Sequence, residues 1–205
     1  TVRFVLSGEL RAGVCAKDVM LHILSLDHFK SGSGIGQVLE FSGDGVKSLS
    51  LDERATLTNM AVEAGSFTGI IEADEVVVAY LVEMRGFPAD EVRQKIVRSD
   101  PDASYAATFE IDLGKVVSMV ATPGDPRNGV PLTSLDDVKI DIAYGGSCTG
   151  GKKADMDMYA AVLERALAQG RRVADGVQLY IQFGSQHIRE YAEQKGYIQI
   201  FQRAG

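Results

Sequence analysis

Tyr144-Gly145-Gly146-Ser147-Cys148-Thr149-Gly150-Gly151 separates an apolar run, Val138 to Ala143, from a long helical pattern that begins near Lys153. A strand that stops in glycines and restarts as a helix presents backbone N–H groups and one side chain at the mouth of an α/β sheet. Here that side chain is Cys148. Three readings compete for it. One is a small residue buried in a tight turn. Gly146-Ser147-Cys148-Thr149-Gly150 is also G-x-C-x-G, the thiol version of a strand-turn-helix serine motif, which would need a histidine base with an orienting partner. The third is a ligand to a metal or cluster, for which one thiolate is too few unless others come from elsewhere.

Around this stretch, the second half of the chain reads as strand 138–143, helix 153–169, strand 177–183 and helix 185–195, followed by 197–203. Strands alternating with helices of this length imply βαβ units and a parallel sheet. The first half opens with a strand over 2–6 and an amphipathic helix over 16–29, whose Val19, Met20, Ile23 and Leu24 recur at helical spacing. Ser31-Gly32-Ser33-Gly34-Ile35-Gly36 then turns the chain into a strand over 37–41. It follows a helix, precedes a strand and lacks the Lys-Ser/Thr of a phosphate loop, so a turn is expected. Ser50-Leu51-Asp52-Glu53 fits a capping box, starting a helix at Leu51 that runs to Ala64 and stops at Gly65. On that helix Asn59 and Glu63 stand four apart, hence on one face. They are either a structural pair bonding a nearby loop or two groups of a site.

Strand 67–71, helices 74–84 and 89–98, and β-like stretches 105–113 and 116–120 complete the first half. Thr122-Pro123-Gly124-Asp125-Pro126-Arg127-Asn128-Gly129 is the richest turn and linker signal in the chain, and places a domain boundary between 1–121 and 122–205.

The chain has 205 residues, 45% of them apolar and 24% charged, an ordinary globular composition. A net charge of -7, with no basic cluster larger than Lys152-Lys153 or Arg171-Arg172, argues against a nucleic-acid partner. No apolar run reaches the roughly 18 residues of a membrane span, so no membrane association is expected. Two cysteines far apart, Cys15 and Cys148, suggest a reducing, cytoplasmic setting rather than a disulfide framework.

With these pieces in order, the chain resembles the aconitase superfamily of iron-sulfur hydro-lyases, in the large-subunit type found in 3-isopropylmalate dehydratase and homoaconitase. Gly146-Ser147-Cys148-Thr149 is similar to the start of that family's G-S-C-T-N stretch, and Asn59-Met60-Ala61-Val62-Glu63-Ala64-Gly65 to its N-M-x-x-E-x-G helix. Gly8-Glu9-Leu10 through Val19, Gly36 through Phe41, and Gly184-Ser185 through Tyr197 are similar in the same order. The resemblance implies two three-layer α/β/α domains with mostly parallel sheets. It also implies a [4Fe-4S] cluster with Cys148 as one of three thiolate ligands, Ser147 and Thr149 beside it, and Asn59 and Glu63 as catalytic groups facing cluster and substrate.

The substrate would be a hydroxy di- or tricarboxylic acid such as 3-isopropylmalate, homocitrate or citrate, and a swivelling domain on a separate small subunit would be a partner. Two departures stand out: Gly150 replaces the family's Asn, and the paired C-x-x-C is absent. The chain is therefore expected to be an internal part of a larger enzyme, without a cluster or activity of its own. A non-catalytic interaction domain and a cysteine-nucleophile hydrolase or amidotransferase are the alternatives. The latter is weakened because His187 is followed by Ile188-Arg189-Glu190 rather than a His-x-Glu pair.

Overall fold

The computed structural model describes residues 1–205, which form two compact units, Thr1–Leu135 and Asp136–Gly205. Both are α/β. In the first, a four-stranded parallel sheet has the order β3-β2-β1-β4, from β1 (Val2–Ser7), β2 (Val38–Ser42), β3 (Thr68–Ile71) and β4 (Ala107–Asp112). Alternation decides which face is buried. Val2, Phe4 and Leu6 are fully covered while Arg3 and Val5 between them are not.

Register then does the packing, because Phe4 pairs with Phe41 on one side and Phe109 on the other. Their rings stack with centroids 5.3 and 5.6 Å apart. Onto this face α1 (Ala16–Leu24) brings Val19, Met20 and Ile23, and α3 (Leu51–Asn59) brings Leu57. The other face is polar: Arg3 donates to Ser42 Oγ at 2.9 Å, and the Glu40 carboxylate accepts from Ser99 and Tyr105 at 2.9 and 2.8 Å.

The helix expected over 16–29 is divided. The Ser25 hydroxyl donates to the His22 carbonyl at 2.7 Å, Leu26 adopts an extended conformation, and a short second turn follows as α2 (Asp27–Lys30). The glycine run 31–36 is a turn. The capping box forms at Ser50, whose N–H and hydroxyl both donate to the Glu53 carboxylate at 2.8 Å. Downstream, α3 gives way at Met60–Ala64 to a 3-10 helix, and Gly65 ends it in the left-handed region at φ 72°. Two further helices follow, α4 (Glu75–Arg85) and α5 (Ala89–Gln94), the latter shorter than the 89–98 run suggests.

The stretch Thr122–Gly129 is not a divider at 121/122. It is the tip of an antiparallel hairpin, β5 (Met119–Ala121) with β6 (Gly129–Pro131), held by Asp125, which accepts from the Arg127 backbone and guanidinium. Those bonds, led by the guanidinium's, hold the Asp125 carboxyl at about 2. The hairpin belongs to the first unit because it is bonded to α1. Asp18 Oδ1 accepts from the Met119 N–H at 2.7 Å, and Gly129 approaches so closely that a Cβ would stand 2.7 Å from the Leu21 carbonyl oxygen. Turn composition marks a reversal equally well between strands and between domains.

In the second unit β7 (Ile142–Gly146) pairs in parallel with β8 (Gln178–Gln182). Strand structure starts at Ile142 rather than Val138, where partners on β8 begin. Between them run α6 (Ser147–Gly150) and α7 (Lys153–Ala168); α8 (Gln186–Gln194) and α9 (Tyr197–Ala204) come after β8. The core joins Met156 and Ala160 of α7 to Ile200 and Phe201 of α9, with Ile181 and Phe183 packed alongside. Asp157 Oδ1 ties the helices by accepting from Tyr191 and Tyr197 at 2.8 and 2.7 Å, which pushes the Tyr197 phenol up to about 12. No helix is long and apolar enough to cross a membrane.

Candidate functional site

The loop after β7 is built by glycines that cannot be replaced cheaply. Gly146 sits at φ 135°, and a Cβ there would collide with the Gln182 backbone of the neighbouring strand. Gly151 meets Gly184 in the same way, with a Cβ falling 2.6 Å from its backbone nitrogen, and the two backbones are bonded at that point, Gly184 N–H to Gly151 O at 2.9 Å. Close approach of this kind is open only to glycine. Within this frame Ser147, Cys148, Thr149 and Gly150 make a single helical turn at the carboxyl end of the strand, where ligands bind in open parallel sheets.

Cys148 is exposed and its sulfur lies 3.9 Å from both the Ser147 and Thr149 hydroxyl oxygens. The one non-glycine residue of the chain with positive φ is Ser147, at 64°. In a nucleophile elbow the strained turn carries the nucleophile itself. Here the strain falls one residue earlier, and His187 is an exposed residue of the first turn of α8. An open cleft of about 590 Å³ lies at the carboxyl end of β8, lined by Tyr144, Gln182, Phe183, Ser185, Gln186 and Arg189 among others, and no residue of the Ser147–Gly150 turn lines it.

Asn59 and Glu63 belong to the first unit. The switch to 3-10 geometry after Asn59 matters, because each residue there advances about 120° instead of 100°, and a step of four no longer returns to the same face. Asn59 is exposed while Glu63 is half-buried. Glu63 Oε2 itself is buried and has no hydrogen-bond partner. A carboxylate oxygen left in that state costs free energy comparable to a lost hydrogen bond or more, and the buried His28 Nε2 of the same unit is in the same state.

Cys15 has a different environment. It caps the N-terminus of α1, is half-buried, and burial pushes its thiol up. No three His, Cys, Asp or Glu side chains of the chain gather as a metal-ligand set. The donors present therefore fit one corner of a thiolate-held cluster, Cys148, and not a whole one.

Sequence reading passes over the groups that hold the loop. Lys152 bonds the Thr149 carbonyl and pairs with Asp155 at 3.3 Å, and Tyr159 donates to the Gly150 carbonyl at 2.9 Å. The Lys-x-x-Asp spacing is a signal that could have found the first pair. Tyr159 looks like any apolar position of α7.

The family described as aconitase family (aconitate hydratase) matches residues 1–137 and 133–205 of the chain. Among individual relatives, the 3-isopropylmalate dehydratase large subunit of Wolinella succinogenes is 37% identical over 207 residues, covering 100% of this chain and 47% of the relative. Large subunit 1 of that name from Pyrococcus furiosus is 38% identical over 207 residues, covering 100% of this chain and 46% of the relative. The large subunit from Acetivibrio thermocellus is also 38% identical, over 205 residues with the same coverage, 100% and 46%. The chain spans about half the length of the curated relatives it matches. With its parallel α/β units, its glycine-caged G-S-C-T turn and matches that run from end to end, this chain belongs to the aconitase family.

Proposed function

We propose that the chain is part of an iron-sulfur hydro-lyase of the 3-isopropylmalate dehydratase type, acting on a hydroxy di- or tricarboxylic acid. The observation that carries this reading is the exposed Cys148 on a turn caged by Gly146 and Gly151, in a chain that aligns over its whole length with 3-isopropylmalate dehydratase large subunits. Cys148 would hold one iron of a [4Fe-4S] cluster, and the other thiolates would come from outside these 205 residues. When bound, such a cluster supplies a Lewis acid for the substrate's hydroxyl and carboxylate.

The chain's own residues have separate tasks. Ser147 and Thr149 place hydroxyls beside the Cys148 sulfur, where an O–H can donate to a thiolate and steady its charge. Glu63 keeps an unbonded oxygen at Oε2, able to accept or return the proton of a substrate hydroxyl or water. Asn59, exposed at the end of α3, offers both an amide donor and an acceptor to orient a bound acid. The relatives' description as large subunits supports a smaller partner subunit in the working enzyme.

The test uses the enzyme that contains this chain. Cys148→Ser replaces a soft thiolate with a poor hydroxyl ligand, so iron per chain, visible absorbance and rate should fall together. Glu63→Gln should keep the iron and absorbance while the rate drops by about 10²-fold. A Cys148→Ser enzyme with a full, stable cluster would sink the ligand role.

A further inference from the structure

The turn that carries Cys148 is too short to hold itself. A helix leaves its last four carbonyls without intrahelical partners, and α6 has only four residues. Three consecutive carbonyls here are nevertheless each met by a donor from elsewhere. Thr149 O receives the Lys152 ammonium, Gly150 O the Tyr159 hydroxyl at 2.9 Å, and Gly151 O the Gly184 N–H at 2.9 Å. Lys152 is itself fixed, its N–H donating to Asp155 Oδ2 at 2.9 Å and its ammonium pairing with the same oxygen at 3.3 Å. Both side chains are largely covered, at 16% and 14% exposure, so the pair is screened less than a surface one.

Tyr159 has a second contact that makes it more than a cap. A Cβ on Gly145 would stand 3.1 Å from the Tyr159 Cζ, so the ring occupies the space left open by the missing side chain at Gly145. One residue of α7 therefore touches the chain on both sides of Cys148, the ring at Gly145 before the turn and the hydroxyl at Gly150 after it. A strut spanning a loop in this way restricts the peptide planes between its two contacts, and those planes aim the Cys148 side chain.

We propose that Tyr159 and Lys152 are positioning residues for Cys148, with the Tyr159 hydroxyl locking the Ser147–Gly150 turn from α7. The proposal rests on the reading that Cys148 is the functional side chain of this loop, but its test does not depend on iron. Tyr159→Phe keeps the ring against Gly145 and removes only the bond to Gly150 O. Amide hydrogen exchange across 148–151 should then accelerate about tenfold, the worth of one hydrogen bond near the upper end of the usual range, while the rest of the unit keeps its protection.

Alkylation of Cys148 by iodoacetamide, followed at peptide level against Cys15 as internal reference, should rise several-fold in the same variant. Lys152→Met should show the same two changes. Exchange and alkylation unchanged in Tyr159→Phe would reduce Tyr159 to a packing residue and overturn the proposal. A rise in exchange spread evenly over the whole unit would overturn it too. If Cys148 proves to bind no iron, the cluster reading falls while these two measurements stand.

Discussion

Arg54 is the largest fully buried side chain in the molecule, 1% exposed, and all three nitrogens of its guanidinium donate. Nε donates to the Leu49 carbonyl at 3.0 Å and one terminal nitrogen to the Val46 carbonyl at 2.8 Å, while the fork grips both Asp74 oxygens at 2.6 and 2.9 Å. Asp74 in turn caps α4 by accepting from the Val76 N–H at 2.9 Å. One side chain thus joins the 3-10 turn at Asp44–Ser48, the start of α3 and the start of α4, the frame from which Asn59 and Glu63 project. Arg54→Met should destabilise the first unit by roughly 3–5 kcal/mol in denaturant melts, because Asp74 and two carbonyls lose their partner together. The double variant Arg54→Met/Asp74→Asn should recover part of that loss, since it removes the stranded charge. A single variant that melts like wild type would refute the account. The loop was legible as chemistry because one of only two cysteines stands between glycine pairs at the end of an apolar run; Arg54 was not, because nothing in its neighbours shows a cationic residue heading inward.

At the scale of elements, helix starts were the most readable feature. Ser50 and Glu53 meet as the capping box requires, and the apolar spacing of α1 buries Val19, Met20 and Ile23. Helix interiors were less so. The division at Ser25–Leu26, where a hydroxyl takes a helix carbonyl, and the 3-10 segment at Met60–Ala64 both leave the apolar period unchanged. The hairpin read as a linker is the same problem, since proline, glycine and aspartate specify a reversal of direction and not whether a strand or a new domain comes next. The β7–α6 junction is the element with least tolerance. Gly146→Ala would place a methyl against the Gln182 backbone at a φ of 135°, so either β7 and β8 separate or the turn moves. We expect this change to abolish cooperative unfolding of the second unit, read as loss of its protected amides in hydrogen exchange. Native-like protection in Gly146→Ala would show that the close approach is dispensable.

Across the whole molecule, the two units should respond to opposite ends of the pH scale. Asp74 has its carboxyl pushed down, first by the Arg54 hydrogen bonds, so its contribution is present above the ordinary carboxylate pKa of about 3.9 and is lost as pH falls through the lower folded value. Tyr197 is pushed up to about 12, first by its bond to Asp157, so its contribution is complete below the unfolded value of about 10 and is lost as pH rises through about 12. Acid should therefore weaken the first unit and alkali the second, with Asp74→Asn flattening one arm and Asp157→Asn the other; hydrogen exchange resolved by unit reads both, and arms unmoved by these variants would count against the assignment. The α/β class, the parallel pairing implied by alternating strands and helices, the strand-turn-helix setting of Cys148 and the family are all legible in the order of residues, because period, glycine placement and motif order are local quantities. Folding in three dimensions sets where the units divide, that Asn59 and Glu63 leave a common face, that Glu63 Oε2 is buried without a partner, and that Tyr159 and Lys152 bond the Cys148 turn. Those facts depend on which distant backbone groups end up within bonding reach, and burial and hydrogen bonding between distant residues leave no periodic trace in the chain.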